Sequence, residues 1–146
     1  VKRIINTISA IANNGNGTLG KIIIGIADDD RDAERVKQLD RIEPKRVGKK
    51  NVVGVAREAR VLGISNEEYL TRWVNAIRNS ELSEPLKSHV LSKIDYNDFY
   101  GLGIIIITIP PQKSISAVGQ NIYWREADNT SMAQGLQIAS IANRFG

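Results

Sequence analysis

Two apolar runs decide the fold: residues 19–27 have the sequence LGKIIIGIA and residues 101–109 have the sequence GLGIIIITI. Both are rich in isoleucine, a β-branched residue that favours strands. A continuous apolar run of this length is typical of a strand that is buried on both faces. The sequence therefore predicts two central, buried strands, the first ended by aspartates in residues 28–32 and the second by Pro110-Pro111.

Apolar residues at helical spacing predict helices around these strands. One of them begins at Ser65, and Glu68 three residues later completes a capping-box pattern. The other predicted helices cover the start of the chain up to Asn13, residues 52–62, a short segment from Ser83, and the last residues from Ile138. Two shorter strands are predicted at residues 92–96 and 121–126. This order predicts a single α+β domain over residues 1–146, with a mixed central sheet packed with helices.

The composition narrows the class of protein. A length of 146 residues suits one domain, and an apolar share of 42% with a charged share of 25% is that of an ordinary globular protein. There is no Cys and only one His, His89, which excludes a thiolate zinc site and a site built on a pair of histidines. The sequence shows no signal peptide or membrane span, so we expect a cytoplasmic protein. Because the chain begins at Val1, we also expect it to be a fragment of a larger protein.

Positive charge is concentrated in one segment. The net charge is +4, but residues 41–60 hold seven Lys and Arg against two Glu. Those seven are Arg41, Lys45, Arg46, Lys49, Lys50, Arg57 and Arg60. A clustered positive field attracts phosphate backbones and releases their counterions. The segment therefore indicates a nucleic-acid contact, with a solvated basic loop as the alternative interpretation.

A glycine-rich stretch, GNGTLGK at residues 15–21, matches GxGxxG and the first part of a phosphate-binding loop. Such loops need a strand before the glycines and a helix after them, because the phosphate sits on the amides of the helix N-terminus. Here the predicted order is reversed, and Ile22 stands where Ser or Thr would hold magnesium. The stretch is predicted to be a helix-to-strand turn that does not bind ATP.

Polar and aromatic residues near strand ends are the remaining candidates. Asp28, Asp29, Asp30 and Asp32 have side chains that suit a hard cation such as Mg²⁺, and Asp28 and Asp30 are the candidate ligands. A polar loop after a buried strand is the favoured interpretation, because the spacing is not that of an EF-hand and loops favour Asp for turn formation. Tyr123 and Trp124 alternate on a short strand that continues into Arg125, so one of the two rings is expected to face outward and stack on a base. The alternative is that both rings cover the edge of the sheet.

Three segments in order resemble a known family. Residues 8–13 (ISAIAN), with Gly17-Thr18-Leu19 and residues 22–28 (IIIGIAD), resemble the "SAFANT-GG-L-IGV-D" signature of the Schlafen-like AlbA domain, formerly grouped as a divergent AAA family. Residues 104–110 resemble its "V-I-V-P" strand, and residues 122–131 resemble its "YYVR-GSST" segment. The resemblance spans nearly the whole chain.

The chain departs from the family pattern in four places. The paired glycines appear as Gly15-Asn16-Gly17, and Gly20-Lys21 is a small insertion before the strand. Ala127 stands where the family has glycine after the arginine, and residues 29–66 form a longer connection that contains the basic segment.

The resemblance implies an AlbA-like fold and binding of DNA or RNA within a transcriptional-regulator or defence-type protein that has further domains. We expect Lys45, Arg46, Lys49, Lys50 and Arg125 to hold phosphates while Tyr123 and Trp124 stack on bases. No cofactor is expected for this function. Expected partners are nucleic acid, further domains of the same polypeptide and, as an open alternative, a second copy in a homodimer; no membrane is expected.

Two alternatives remain open at this point. Some Schlafen relatives are endoribonucleases that use three carboxylates and a metal ion, which would be Mg²⁺ or Mn²⁺. Asp28 matches the third carboxylate, while the first two lie in a segment that would precede Val1, so the residues 1–146 favour no enzyme by themselves. The other alternative is a protein-interaction or oligomerisation domain.

Overall fold

The computed structural model describes residues 2–26, 65–99 and 102–146. Within these ranges the chain forms helices and strands in the order α1 (Lys2–Ala12), β1 (Gly20–Ile26), α2 (Asn66–Arg78), α3 (Leu86–Lys93), β2 (Asp95–Phe99), β3 (Leu102–Ile109), β4 (Tyr123–Glu126), β5 (Asn129–Met132) and α4 (Leu136–Asn143). The predicted α+β class is confirmed. The helix predicted at residues 52–62 lies outside the described residues.

The two apolar runs form neighbouring strands of a three-stranded sheet with the order β1-β3-β2. In β3 the side chains of Ile105, Ile107 and Ile109 are fully buried, so its prediction as a central, buried strand is confirmed. β2 pairs with β3 in the antiparallel sense. The prediction that the first run is also central is wrong for the described sheet, where β1 is an end strand. Its Lys21 side chain is exposed while Ile22 is buried, as suits a strand that is covered less completely than β3.

The predicted helix from Ser65 is confirmed as α2, with its cap. The Glu68 amide donates to the Ser65 hydroxyl at 3.1 Å, which satisfies one of the free amides of the first turn. Tyr69, Trp73 and Ile77 form the buried face of the helix, as their spacing predicts.

The short helix predicted after Ser83 is also present, as α3, and it ends later than predicted. Ser92 belongs to its last turn, where the Ser92 hydroxyl donates to the carbonyl oxygen of His89 at 2.8 Å. The predicted strand at residues 92–96 is therefore displaced: β2 begins at Asp95 and extends to Phe99. His89 is exposed on α3.

The strand predicted at residues 121–126 is shorter than expected and belongs to a hairpin. β4 starts at Tyr123, because Asn121 instead forms an isolated bridge with Val118. The partner strand β5 was not predicted. A two-residue turn joins the two strands, and its first residue, Ala127, has a φ of 54°.

The chain divides into two compact units. The first comprises Val1–Gly20, Asn75–Lys93 and Thr108–Gly146, and the second comprises Lys21–Val74 and Ile94–Ile107. The β4–β5 hairpin lies in the first unit together with α1, α3 and α4. No helix in the described part of the chain is long and apolar enough to cross a membrane.

Candidate nucleic-acid interface

The structure describes three of the residues predicted to bind nucleic acid: Tyr123, Trp124 and Arg125, all on β4. The remaining predicted site residues lie outside the described ranges; these are Lys45, Arg46, Lys49 and Lys50 of the basic segment, and Asp28 and Asp30 of the candidate metal site. The geometry that follows is therefore that of the hairpin and the helices packed around it.

The hairpin places Arg125 beside a hydroxyl. In the antiparallel register Arg125 lies opposite Thr130, so their side chains share one face of the hairpin. The guanidinium Nη1 of Arg125 donates to the Thr130 hydroxyl at 2.9 Å. A cross-strand hydrogen bond of this kind limits the directions in which the arginine can point.

A second hydroxyl continues this contact to α1. The hydroxyls of Thr7 and Thr130 are 3.1 Å apart, and the Thr7 hydroxyl donates to the carbonyl oxygen of Arg3 at 3.0 Å. Each hydroxyl has one proton to donate. Since Thr7 gives its proton to Arg3, Thr130 donates to Thr7 and accepts from Arg125. Three hydrogen bonds in one direction thus connect the Arg125 guanidinium to the first turn of α1.

Arg125 is half-buried, and this burial affects its pKa. Burial lowers the pKa of Arg125, while the nearby charge of Asp128 acts in the opposite direction. An arginine keeps its charge in proteins at neutral pH even so. Of its five N–H donors, only one is engaged by a hydrogen bond within the described ranges, and the acceptor there is neutral. The remaining donors of this oriented, charged group can bind a phosphate.

Trp124 contacts another part of the same chain. The guanidinium carbon of Arg144 lies 5.7 Å from the centroid of the Trp124 ring, in the range of a cation–π interaction. The indole Nε1 is buried and has no hydrogen-bond partner among the residues that the structure describes. One face of the ring is therefore covered by Arg144, and a base would have to stack on the other face or displace the arginine.

Tyr123 and Trp124 are both half-buried, so neither ring is fully exposed, and base stacking by one of them stays a prediction. The carbonyl oxygen of Tyr123 accepts a hydrogen bond of 2.8 Å from Nδ2 of Asn13. Alternation along β4 cannot reveal this, because the burial comes from α1 and from Arg144 rather than from the sheet itself. The interpretation that the two rings cover the hairpin agrees better with their burial.

Asn13, the last residue of the ISAIAN motif, joins three segments. It is fully buried, and its Nδ2 also donates to the carbonyl oxygen of Ser116 at 2.9 Å. Its Oδ1 accepts from the Ser116 amide at 2.8 Å. Asn13 thus holds the end of α1 against the loop before the hairpin and against β4. We call these contacts the Asn13 clamp.

The glycine-rich stretch follows α1 and precedes β1, so the predicted helix-to-strand order is confirmed. At its start the Asn16 amide donates to the carbonyl oxygen of Arg144 at 3.2 Å, and Gly15 packs against the Arg144 side chain. Nη1 of Arg144 in turn donates to the carbonyl oxygen of Asn13 at 3.2 Å. Arg144 is not predictable as part of this site from the sequence, because nothing in the pattern of the last helix connects it to the turn.

Among residues 2–26, 65–99 and 102–146, no group of three His, Cys, Asp or Glu side chains could hold a metal ion. The prediction of a carboxylate site at Asp28 stays a prediction. Comparison with protein-family models, with curated proteins and with solved structures gives no match for this chain. The function is therefore inferred from the β4–β5 hairpin, from its contacts with α1, and from the contact of Trp124 with Arg144 at the end of α4.

Proposed function

We propose that this chain is a nucleic-acid-binding module of the Schlafen-like AlbA type, which contacts the phosphate backbone through Arg125 and the basic segment of residues 41–60. The observation that carries the proposal is Arg125 itself. It is a half-buried guanidinium, oriented by Thr130, whose only hydrogen bond within the described ranges is to a neutral hydroxyl. An oriented arginine fork matches the geometry of a phosphate better than any other side chain.

The distribution of charge supports the same partner. The first unit contains eight Lys and Arg against four Asp and Glu, a net charge of +4, whereas the second contains twelve of each. The basic segment belongs to the second unit, where acidic residues elsewhere in the sequence offset its charge. Arg125 therefore belongs to a unit with an overall positive charge, which favours the approach of a polyanion.

Two positions of the motif support the family part of the proposal. Asn13, which aligns with an asparagine of the signature, forms the clamp described above. Ala127, which stands where the family has glycine, has a φ of 54°, in the left-handed region that glycine favours. A backbone suited to glycine at this place is what the family pattern would require.

The proposal predicts binding that depends on salt and little on sequence. Four to six phosphate contacts give a log–log salt slope of about −3 to −5. Replacing Lys45, Arg46, Lys49 and Lys50 by Ala should weaken binding to all sequences, and should flatten the slope by about one unit for each lost contact. Fluorescence anisotropy with labelled single-stranded RNA, single-stranded DNA and duplex DNA, each over a salt series, measures both quantities.

Arg125 is tested separately, with Arg78 as the matched control. Arg78 is exposed on α2, where its Nη1 donates to Oδ1 of Asn75, so Arg78→Gln removes the same charge from another place. Arg125→Gln should weaken binding more than Arg78→Gln, and Arg125→Lys should restore only part of the loss because lysine lacks the fork. Equal effects of the two Gln variants would mean that Arg125 contributes only net charge. Absence of binding at low salt would remove the proposal.

The two alternatives receive no support from the described residues. A metal-dependent endoribonuclease would need carboxylates beside Asp28, which itself lies outside the described ranges. For an interaction or oligomerisation domain, the hydrogen bonds from Arg125 through Thr130 and Thr7 to α1 would serve the packing of the hairpin alone. Binding that is indifferent to salt would favour this second alternative.

A further inference from the structure

The turn between α1 and β1 contains both Asn-Gly dipeptides of the sequence, Asn14-Gly15 and Asn16-Gly17. An asparagine followed by glycine is prone to deamidation, because no side chain hinders the glycine nitrogen from reaching the asparagine side chain. Two identical dipeptides in one turn should differ in reactivity only through their surroundings.

The surroundings of Asn16-Gly17 are open. Both residues are exposed, and apart from Gly17 and its chain neighbours no heavy atom of the described residues lies within 4 Å of the position that a Cβ on Gly17 would take. The Gly17 amide donates no hydrogen bond within the described ranges. The Thr18 amide closes this turn onto the Gly15 carbonyl oxygen at 3.3 Å, and the Asn16 amide donates to Arg144, so what favours attack by the Gly17 nitrogen is its exposure to water and the space around it.

Asn14-Gly15 is packed. Gly15 is buried, and a Cβ there would lie 3.2 Å from Cβ of Arg144 and 3.5 Å from the Arg144 carbonyl oxygen. The Asn14 amide donates to the carbonyl oxygen of Ile11 at 3.0 Å. The Gly15 amide, like that of Gly17, donates no hydrogen bond within the described ranges, so the difference between the two dipeptides lies in their packing. Ring closure at this dipeptide would require the turn and Arg144 to separate.

We propose that Asn16 is a site of spontaneous deamidation and that the fold protects Asn14. The backbone nitrogen of Gly17 loses its proton and forms a bond to Cγ of Asn16, the bond from Cγ to the side-chain nitrogen breaks, and ammonia leaves. Water then opens the resulting succinimide at either carbonyl, which yields aspartate or isoaspartate. No other reactant is needed.

The reaction has an electrostatic consequence. It replaces a neutral amide by a carboxylate and lowers the net charge of the first unit by one from +4. The new charge stands on a residue whose backbone amide donates to the carbonyl oxygen of Arg144. Isoaspartate also lengthens the backbone of the turn by one carbon. An aged sample is thus expected to be a mixture of charge forms.

The test is a time course in mildly alkaline buffer at physiological temperature, followed by peptide mapping. Trypsin releases both dipeptides in one peptide, since Arg3 and Lys21 flank them, and fragmentation by electron transfer locates each modified residue. In the folded protein Asn14 should react at least about tenfold more slowly than Asn16, which corresponds to about 1.4 kcal/mol of added barrier. In denaturant the two rates should become similar.

Matched variants complete the experiment. Asn16→Gln should abolish the product at this position and leave Asn14 unreactive in the folded protein, while Asn14→Gln should leave the rate at Asn16 unchanged. Equal rates at Asn14 and Asn16 in the folded protein would overturn the proposal. So would an Asn16 that reacts in denaturant and is inert in the native state.

Discussion

Asn13 and Asn16 are three residues apart at the end of the same helix, and their surroundings are opposite. Asn13 is fully buried and uses both polar atoms of its side chain in the clamp to Ser116 and Tyr123. Asn16 is exposed, and its side chain forms no hydrogen bond within the described ranges. Because a buried polar group costs free energy unless it is paired, removing Asn13 affects its partners, whereas water can replace Asn16. Neighbouring asparagines in one motif thus have different consequences for stability.

The largest expected effect is that of Asn13→Ala. The substitution leaves the Ser116 amide and the carbonyl oxygens of Ser116 and Tyr123 without their partner, and each such buried group costs about 1–3 kcal/mol. We expect a loss of about 3 kcal/mol or more in the free energy of unfolding, measured by urea denaturation.

The control for this variant is Asn16→Ala. Removal of an exposed side chain that forms no hydrogen bond within the described ranges should change the free energy of unfolding by less than about 0.5 kcal/mol. If Asn13→Ala and Asn16→Ala had the same free energy of unfolding, the Asn13 clamp would contribute nothing to stability, and the predicted difference between the two asparagines would be wrong.

A smaller loss of stability is expected when a methyl group is added at Gly17 or at Gly20, in the segment between α1 and β1. A Cβ on Gly20 would collide with Cγ2 of Ile11, which is buried, so Gly20→Ala should cost about 1–3 kcal/mol through overpacking. Gly17 has open space and a φ of 81°, so Gly17→Ala should cost about 1 kcal/mol, from backbone strain alone.

A double variant distinguishes the two causes. Leucine has no Cγ2, so Ile11→Leu should recover part of the loss in Gly20→Ala and none of the loss in Gly17→Ala. Thermal unfolding of the parent, the three single variants and the two double variants measures the coupling. A Gly20→Ala protein as stable as the parent would show that α1 and the start of β1 are packed less tightly than the structure indicates.

The sequence predicted the elements whose signal is local. The apolar run of β3, the helical spacing of α1, and Ser65 with Glu68 at the start of α2 are each decided by residues near one another in the chain. The position of a strand within the sheet is not decided by local sequence. β1 and β3 have similar apolar runs, but only β3 is central in the described sheet. The composition of a segment indicates an apolar strand, whereas its position in the sheet depends on the strands with which it pairs.

The candidate site was predicted only in part, for the same reason. β5 is polar and becomes a strand through its pairing with β4, after a turn in which an alanine adopts a positive φ. The partners of the predicted residues lie far away in sequence: Thr7 beside Thr130, and Arg144 beside Trp124. No periodicity or spacing contains those contacts, and so Arg125 was predicted without the residues that orient it.

The smallest expected effect is that of Glu84, a second polar side chain that accepts a hydrogen bond from a backbone amide, but at a solvent-exposed position. Glu84 is fully exposed, and its Oε1 accepts from the amide and the hydroxyl of Ser88 in the first turn of α3, both at 2.9 Å. The hydrogen bond from the Ser88 amide, followed by that from its hydroxyl, lowers the pKa of Glu84. A carboxyl with a lowered pKa in the folded state stabilises the fold above its unfolded pKa, and this stability is lost as the pH falls through the folded pKa.

Glu84→Gln should therefore unfold at a slightly lower urea concentration than the parent at neutral pH, and the difference should fade in acid. Ser88→Ala keeps the amide bond to Glu84 and loses the hydroxyl bond, so it should give a smaller difference with the same dependence on pH. Asn13→Ala provides the contrast. An amide side chain does not titrate, so the loss of unfolding free energy in this variant should not depend on the ionisation of the substituted side chain. A difference between Glu84→Gln and the parent that stays constant from neutral to acid pH would mean that the Glu84 carboxylate contributes through packing rather than through charge.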